Sequence, residues 1–587
     1  MLVERIINKI INEKIDIDKI LVVTFTKSAA AEMRGRVLDA IYKEIEKNPD
    51  NMHLQKQITL LPKASICTID SFCLDIVKNN FFEIDIAPNL KIAEQTEIEI
   101  LKMETIEDLF EEKYEAQEKD FLRLINIYTG YRGDDLLKSI ILETYGYIQS
   151  MPFPNEWLKE KIEMFNQKEI SFEKTVWGEI LLKKVREVLK DGILKLEKEL
   201  EHLKYEEDTE KFIVTLSEDI RKITCVYEKE IWDEVYFEIN ELSLDRLPVD
   251  KKIPDEIKNR IKEIRNKVKD EIKKIGQNIM IYDSKEANEN IREMYDILQN
   301  LQKLVIEFSD RFAKAKQDRN IMDFNDIEHF ALNILASEKN NVSDRYKKKY
   351  EEILIDEYQD SNLVQEYILN KISRNNNIFM VGDVKQSIYK FRGARPELFL
   401  EKYETYKTKE YLKENVGEKI QLFKNFRSRK NILDLTNIVF ENIMSKELGD
   451  IDYNEEEYLN LGAEYPEGKR LETELYVIDL KEEEESIYKG EEKEDEEQIE
   501  NIEDILLEAK FVANKVKELV DSGYLICNKD KTYRNITYKD IAILLRSTSN
   551  LAPIYEQEIS KLNLPVFCDV NSRIPRFSRN KCDNEFT

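Results

Sequence analysis

Ile353-Leu354-Ile355-Asp356-Glu357-Tyr358-Gln359-Asp360 joins a short aliphatic run to a run of acids. An apolar stretch of this length bounded by polar residues reads as a strand buried on both faces, with the acids at its carboxyl end. Adjacent carboxylates there suit two linked tasks. One can hold a magnesium ion, directly or through water, while its neighbour orients the water that attacks a phosphate. An isolated Asp-Glu pair would as readily cap the next helix. The whole DEYQD string behind a strand is far more specific.

The same grammar recurs on either side. Residues 20–25 form an apolar strand passing into a helix rich in small residues at 28–36. A strand near 65–69 leads into a helix at 71–78, and a further strand at 378–381 also runs into an acid, Asp383. Repeated strand-helix units predict a parallel sheet covered by helices. Ahead of them, residues 2–13 read as an amphipathic helix (Leu2, Ile6, Ile7, Ile10) with no capping residue before it.

From about 91 to 320 the pattern is helical only. Ile257, Ile261, Ile264, Val268, Ile272 and Ile275 recur at helical spacing, and Gly276 is placed to end that helix. Leu196, Leu200 and Leu203 repeat the stripe upstream, so a helical insertion with long arms is expected. Asp323, in Asp323-Phe324-Asn325-Asp326, reads as a helix cap. Beyond 445 come a loop region, a strand at 475–478, a helix at 505–520 and a strand at 541–545, the opening of a second α/β unit.

Composition agrees with a helix-rich chain, since its 587 residues include only 15 Gly and 12 Pro. An apolar share of 42% supplies several cores. No uncharged run approaches the ~18 residues of a membrane span, and neither the six cysteines nor the three histidines fall at metal-ligand spacing. A soluble, reduced, cytoplasmic protein without a zinc site is expected. The formal charge of −28 counts against a nucleic-acid partner until its distribution is read. Residues 481–504 hold 13 acids and three lysines, and read as a solvated linker. Residues 371–396 and 419–430 are basic, each with a net charge of +5.

DEYQD resembles motif II of the UvrD-type superfamily 1 helicases, and four further segments resemble that family's motifs in order. They are 22–33 (VVTFTKSAAAEM, motif Ia), 68–72 (TIDSF, the next DNA-contacting motif), 382–394 (GDVKQSIYKFRGA, motif III) and 425–428 (NFRS, motif IV). Within the family the chain is similar to the AddA-like helicase-nuclease subunits of double-strand-break repair. Asp70 stands where the shorter repair helicases usually carry histidine, and the long insertion fits as well. The resemblance covers about residues 1–570. It implies a RecA-like α/β domain with a large all-helical insertion, followed by the start of a second RecA-like domain.

Carried over by position, the resemblance makes Asp356 the magnesium-associated acid, Glu357 the catalytic base, Gln386 the γ-phosphate sensor and Arg427 the arginine finger. It also implies ATP and Mg2+ as cofactors, 3′-to-5′ movement on single-stranded DNA, DNA ends as substrate and, as partner, an AddB-type subunit. The residues themselves suggest how DNA is held. Aromatic faces under bases and donors to phosphates grip a single strand without regard to sequence. Tyr389 and Phe391 alternate with Lys390 and Arg392, while Phe25, Thr26 and Lys27 end a strand at a helix start. Thr68, Ser71 and Phe72 occupy the corresponding corner of the next unit. Each aromatic taken alone reads as core before it reads as a stacking face.

The resemblance divides the chain into 1–90 and 321–445 (first RecA-like domain), 91–320 (insertion), 446–570 (start of the second) and a patternless tail, 571–587. No GxxxxGK[ST] phosphate loop occurs; the one Gly-Lys pair, Gly468-Lys469, is followed by Arg470. The expectation is therefore a chain that starts just downstream of its phosphate loop and lacks motifs V and VI and the nuclease domain. A stand-alone repair helicase, or a DNA-binding scaffold without ATPase activity, are the alternatives.

Overall fold

The computed structural model describes residues 1–568 apart from 85, 88, 129–132, 167–170, 249–251, 340, 375, 412–415, 467, 469–470, 479–492 and 529, with backbone alone at 493–503 and 549. The expected tail at 571–587 and the first part of the acidic run lie outside the described residues. Two compact units divide the chain, Met1–Lys419 and Ile420–Thr587. Arg427, expected in the first RecA-like domain, therefore falls in the second unit.

The first unit is built on strands β1 (Ile20–Thr24), β2 (Ser65–Thr68), β5 (Glu352–Ile355) and β6 (Ile378–Met380). They form one parallel sheet in the order β2-β1-β5-β6. The central strands β1 and β5 are buried along their length, which is why their sequences are continuous apolar runs. Helices α1 (Leu2–Asn12), α2 (Lys27–Lys47) and α3 (Met52–Leu60) cover one face, closing a core around Ile6, Ile10, Val22 and Leu354. Helix α4 (Ile69–Asn80) covers the other. With it pack α14 (Phe324–Ala336), α15 (Val342–Lys349) and α16 (Leu363–Ile372). At the entry to β5, the buried Glu352 is held by Arg5 Nε at 2.5 Å and Lys9 Nζ at 2.9 Å, tying α1 to the central strand.

Between α4 and α14 lies the insertion. The two-residue strands β3 (Lys91–Ile92) and β4 (Ile321–Met322) pair in parallel and bring its ends together, a closure that a helices-only reading of 91–320 does not anticipate. Its helices are α5 (Gln95–Glu115), α6 (Lys119–Tyr128), α7 (Asp135–Ile148), α8 (Pro154–Glu163) and α9 (Val176–Leu203). They continue as α10 (Glu210–Tyr227), α11 (Trp232–Glu241), α12 (Asp255–Asn278) and α13 (Ser284–Asp318). The expected isoleucine stripe is the buried face of α12, but Gly276 lies inside the helix rather than at its end. A Cβ there would sit 3.3 Å from Asn240 Oδ1 and 3.5 Å from an Ile239 methyl, so this glycine lets α11 approach. Helix α13 is 35 residues, about 50 Å long, and runs past the insertion's cores back to β4.

After α17 (Pro396–Thr405), the second unit contains α18 (Lys430–Ile443), α19 (Lys493–Asp521) and α20 (Thr548–Lys561). Two short strand pairs join them, β7 (Lys424–Asn425) with β8 (Asn460–Leu461), and β9 (Leu525–Cys527) with β10 (Tyr533–Asn535). Two expectations are corrected. Segments 475–478 and 541–545 form no ladder among the described residues, and Leu544 is 92% exposed. An apolar run becomes a strand only where a neighbour supplies hydrogen bonds. Residues 493–504, expected as linker, lie in α19; glutamate and lysine are good helix formers even where they cannot build a core.

Candidate active site and nucleic-acid interface

All four sheet strands point the same way, so the segment after each emerges at one edge, where open α/β sheets bind ligands. Strand β1 delivers Phe25, Thr26 and Lys27; β2 ends at Thr68. Strand β5 delivers Asp356 and Glu357, and β6 leads into Gly382 and Asp383. The sheet alone thus gathers DEYQD and three of the four further segments.

At the end of β5 the Asp356 amide still donates to Val23 O at 3.0 Å, and the Tyr358 amide donates to Val381 O at 3.0 Å. Between them Glu357 takes a left-handed conformation, φ +52°, which is unfavourable for a residue with a side chain and turns it out of the strand direction. Glu357 is exposed, and Gln359 Nε2 donates to its Oε2 at 2.7 Å. Gln359 is itself only 1% exposed, and its Oε1 accepts the Asp383 amide at 3.1 Å. A Cβ on Gly382 would lie 2.5 Å from that oxygen, so the approach requires glycine. Asp383 in turn accepts from Gln386 Nε2 at 2.9 Å. Glu357, Gln359, Asp383 and Gln386 form one chain of contacts between the segments after β5 and β6. No sequence signal assigned Gln359 a role; only its place inside DEYQD marked it.

Burial, and then the neighbouring Glu357, raise the Asp356 carboxyl above its ordinary value. The same two causes push Asp360 up to about 6. A cation beside Asp356 would relieve that strain on the charged form. Among the described residues no group of three or more His, Cys, Asp or Glu side chains could hold a metal alone. The adjacent carboxylates of Asp356 and Glu357 at the end of β5 fit magnesium, which typically takes one or two carboxylates and completes its shell with water and phosphate oxygens.

Asp323 caps α14, exchanging hydrogen bonds with Asp326, as its sequence predicts. A carboxylate that the sequence did not single out lies farther along that helix. Glu328 is buried, accepts Gln365 Nε2 at 2.7 Å and Asn362 Nδ2 at 3.2 Å, and is pushed by burial up to about 7. Asn362 and Gln365 are the two halves of the capping box that starts α16, directly after DEYQD.

The aromatic residues separate into two groups. Phe25 and Tyr389 lie 4.8 Å apart between ring centroids, and Tyr389 and Phe391 lie 6.1 Å apart. The Arg392 guanidinium is 5.5 Å from the Tyr389 ring and 5.6 Å from that of Phe391, which is 79% exposed. These four side chains form one open surface. Phe72, expected on that track, is 2% exposed and meets Tyr346 and Tyr350 in the core, so its faces are unavailable to a base. Thr26 caps α2, and Thr68 caps α4 while sharing a hydrogen bond with Ser71 at 2.9 Å. Lys27 is exposed beside the half-buried Asp70, whose carboxyl burial raises and Lys27 partly restores. In the second unit, Asn425 Oδ1 accepts the amides of both Arg427 and Ser428 at 2.9 Å, fixing a turn from which Arg427 is exposed.

Comparison with known proteins matches residues 1–407 to the UvrD/REP helicase N-terminal domain and residues 420–584 to the UvrD-like helicase C-terminal domain. Among similar relatives are the A subunits of ATP-dependent helicase/nucleases. That of Clostridium beijerinckii is 41% identical, with 97% of this chain and 48% of the relative covered. That of Clostridium kluyveri is 42% identical, at 97% and 47%. In Clostridioides difficile the identity is 40%, at 97% and 48%. The chain spans about half the length of the curated relatives it matches.

Proposed function

Because the chain belongs to the UvrD-like helicase family, we propose that it is a motor portion of an AddA-type subunit. In this reading it couples ATP to 3′-to-5′ movement along single-stranded DNA during double-strand-break repair. The observation that carries the reading is the shared sheet edge: the Phe25–Tyr389–Phe391 surface and the Asp356–Glu357 pair emerge from neighbouring strands, linked through Gln359 and Asp383.

Each residue has a role that its chemistry supports. Phe25, Tyr389 and Phe391 offer faces to bases, while Lys27 and Arg392 offer cations to phosphates. The amino end of α2, at Thr26, favours an anion. Asp356 would hold magnesium, which neutralises phosphate charge when bound. Glu357 takes the proton of the attacking water, held in aim by Gln359. Gln386, tethered to Asp383, would sense the terminal phosphate and relay that contact along the same chain of contacts. Arg427 would meet the charge that develops on the transferred phosphoryl group. The partner proposed for the whole protein is of the AddB type, and its substrate is DNA ends.

Two measurements test this. Labelled single-stranded DNA should bind the 587-residue chain in fluorescence anisotropy, and no binding at low salt would overturn the DNA reading. No GxxxxGK[ST] pattern occurs in these residues, so the chain alone should turn ATP over poorly. In a protein that carries such a loop, Glu357→Gln should cut DNA-stimulated turnover about 10²–10⁴-fold and spare nucleotide binding. Unchanged turnover would remove Glu357 from its role.

A further inference from the structure

We propose that a single strand of nucleic acid leaving the Phe25–Tyr389–Phe391 surface continues onto a second stacking platform on the insertion, formed by Tyr147 and Trp157. The inference rests on the single-strand reading of the sheet edge and extends it to residues outside every motif of the sequence.

The two surfaces are in contact through a tight turn. Beyond Arg392 the chain reaches Ala394 by way of Gly393 at φ +83°, and a Cβ on Gly393 would lie 2.7 Å from Ser150 Cβ. Ser150 closes the end of α7, its hydroxyl donating to Tyr147 O at 2.8 Å. Arg395, whose amide donates to Ser361 O at 2.9 Å, directs its guanidinium toward Tyr147 Oη at 3.3 Å and Met151 Sδ at 3.9 Å. The Tyr147 ring is exposed and lies 5.5 Å from the half-buried ring of Trp157, near the start of α8. The Lys161 ammonium is 5.8 Å from the Trp157 ring.

The second surface is built of the same parts as the first, adjoining rings with basic side chains among them: Arg392 beside Tyr389 and Phe391 there, and Arg395 at the Tyr147 hydroxyl with Lys161 beside the Trp157 ring here. Stacking faces plus phosphate-seeking cations are what a single strand needs, whatever its sequence. Packing explains Trp157 only in part, because one side of it rests on the insertion's core while Tyr147 stays open. The platform is also held in place. His329 contacts Gln149 O at 2.9 Å, and the Phe153 ring meets that of Tyr367 on α16 at 5.9 Å. A strand crossing both surfaces would therefore pass from the sheet edge to the insertion over a fixed span.

Tryptophan fluorescence of the full chain tests this, with oligothymidylates of about 6 and about 16 nucleotides, the scale of single-strand sites. Trp232 is buried and donates its indole N–H to Tyr282 O, and the Trp177 ring lies 4.7 Å from that of Phe165. The longer oligonucleotide should quench emission and the shorter should quench it much less. Trp157→Phe should silence the signal and so identify its source. Tyr147→Ala or Trp157→Ala should weaken the longer oligonucleotide about 5- to 150-fold, the range for one lost base stack, and leave the shorter unaffected. If the longer one binds and depends on Phe391, yet neither quenches Trp157 nor responds to these substitutions, the platform is overturned and the first surface stands. If neither oligonucleotide binds, both fall.

Discussion

Phe72 and Phe391 are the same side chain in opposite surroundings, one buried and one exposed, and substitution should separate them. Phe391→Ala removes an exposed ring and should cost about 1–3 kcal/mol of single-strand binding with Tm unchanged. Phe72→Ala empties part of the core and should cost about 3–5 kcal/mol of stability; an equal Tm for both variants would contradict the assignment. The sequence held half of this distinction. Alternation with charge marked Phe391 as a surface residue, whereas Phe72 sits on a helix whose inward face only the α14 and α15 packing defines. Gln359 was legible only as a letter in DEYQD, because its hydrogen-bond acceptor role depends on Asp383, brought close by strand pairing. Glu328 was invisible for the same reason, and it gives a pH prediction. Its folded value, about 7, lies above its ordinary 4.5, so the native state holds the proton more tightly than the unfolded chain. Stability from this group is full at low pH and declines as pH rises from about 4.5 through 7. Glu328→Gln should therefore raise Tm relative to wild type at pH 8 more than at pH 5. A pH-independent difference would show that the buried carboxylate does not titrate there.

At the scale of elements, local signals were read well and closures were not. The stripe on α12, the cap at Asp323 and the strands at the sheet's centre follow from spacing and residue type. The pairing of β3 with β4 does not, because two residues carry no period. Gly276 looked like a stop and is a point of helix approach, a property of α11 as much as of α12. The joint between insertion and sheet depends on a similar non-local arrangement. Lys316, near the end of α13, is buried with Nζ 2.8 Å from Asp323 Oδ2 and 2.6 Å from Asp326 Oδ1. One cation thus holds the capping box of α14 against the insertion's last helix. Lys316→Met leaves two acids facing each other in a buried place and should cost about 3–5 kcal/mol, the loss typical of breaking a buried pair from one side. The Glu112–Arg311 pair, by contrast, lies at the surface, and Glu112→Gln should leave Tm within error. Thermal unfolding of the two variants checks both, and similar shifts would mean that Lys316 is less confined than its contacts indicate.

For the whole molecule, the parallel sheet was legible because buried strands announce themselves as aliphatic runs. The extent of the second unit's sheet was not: segments 475–478 and 541–545 have strand composition but no ladder among the described residues. Charge poses the remaining question of scale, since a chain of −28 is asked to bind a polyanion. Ionic screening decides which charges count. At 0.1 M salt the field of an exposed charge fades over about 10 Å, so a strand on the proposed aromatic surface should respond to the cations near it and little to acids elsewhere. Lys27, Lys390, Arg392 and Arg395 lie in the segments that form that surface. If two to four of them meet phosphates, the logarithm of the binding constant should fall against the logarithm of salt with a slope of about −1.5 to −3. Arg392→Gln should then reduce the slope by about 0.7 and weaken all sequences alike, since a phosphate contact carries no base preference. Anisotropy titrations over a range of salt concentrations measure both quantities. A slope near zero would mean that stacking alone holds the strand. A slope steeper than about −5 would require a basic face larger than these four residues provide, and would move the principal DNA contact away from the sheet edge.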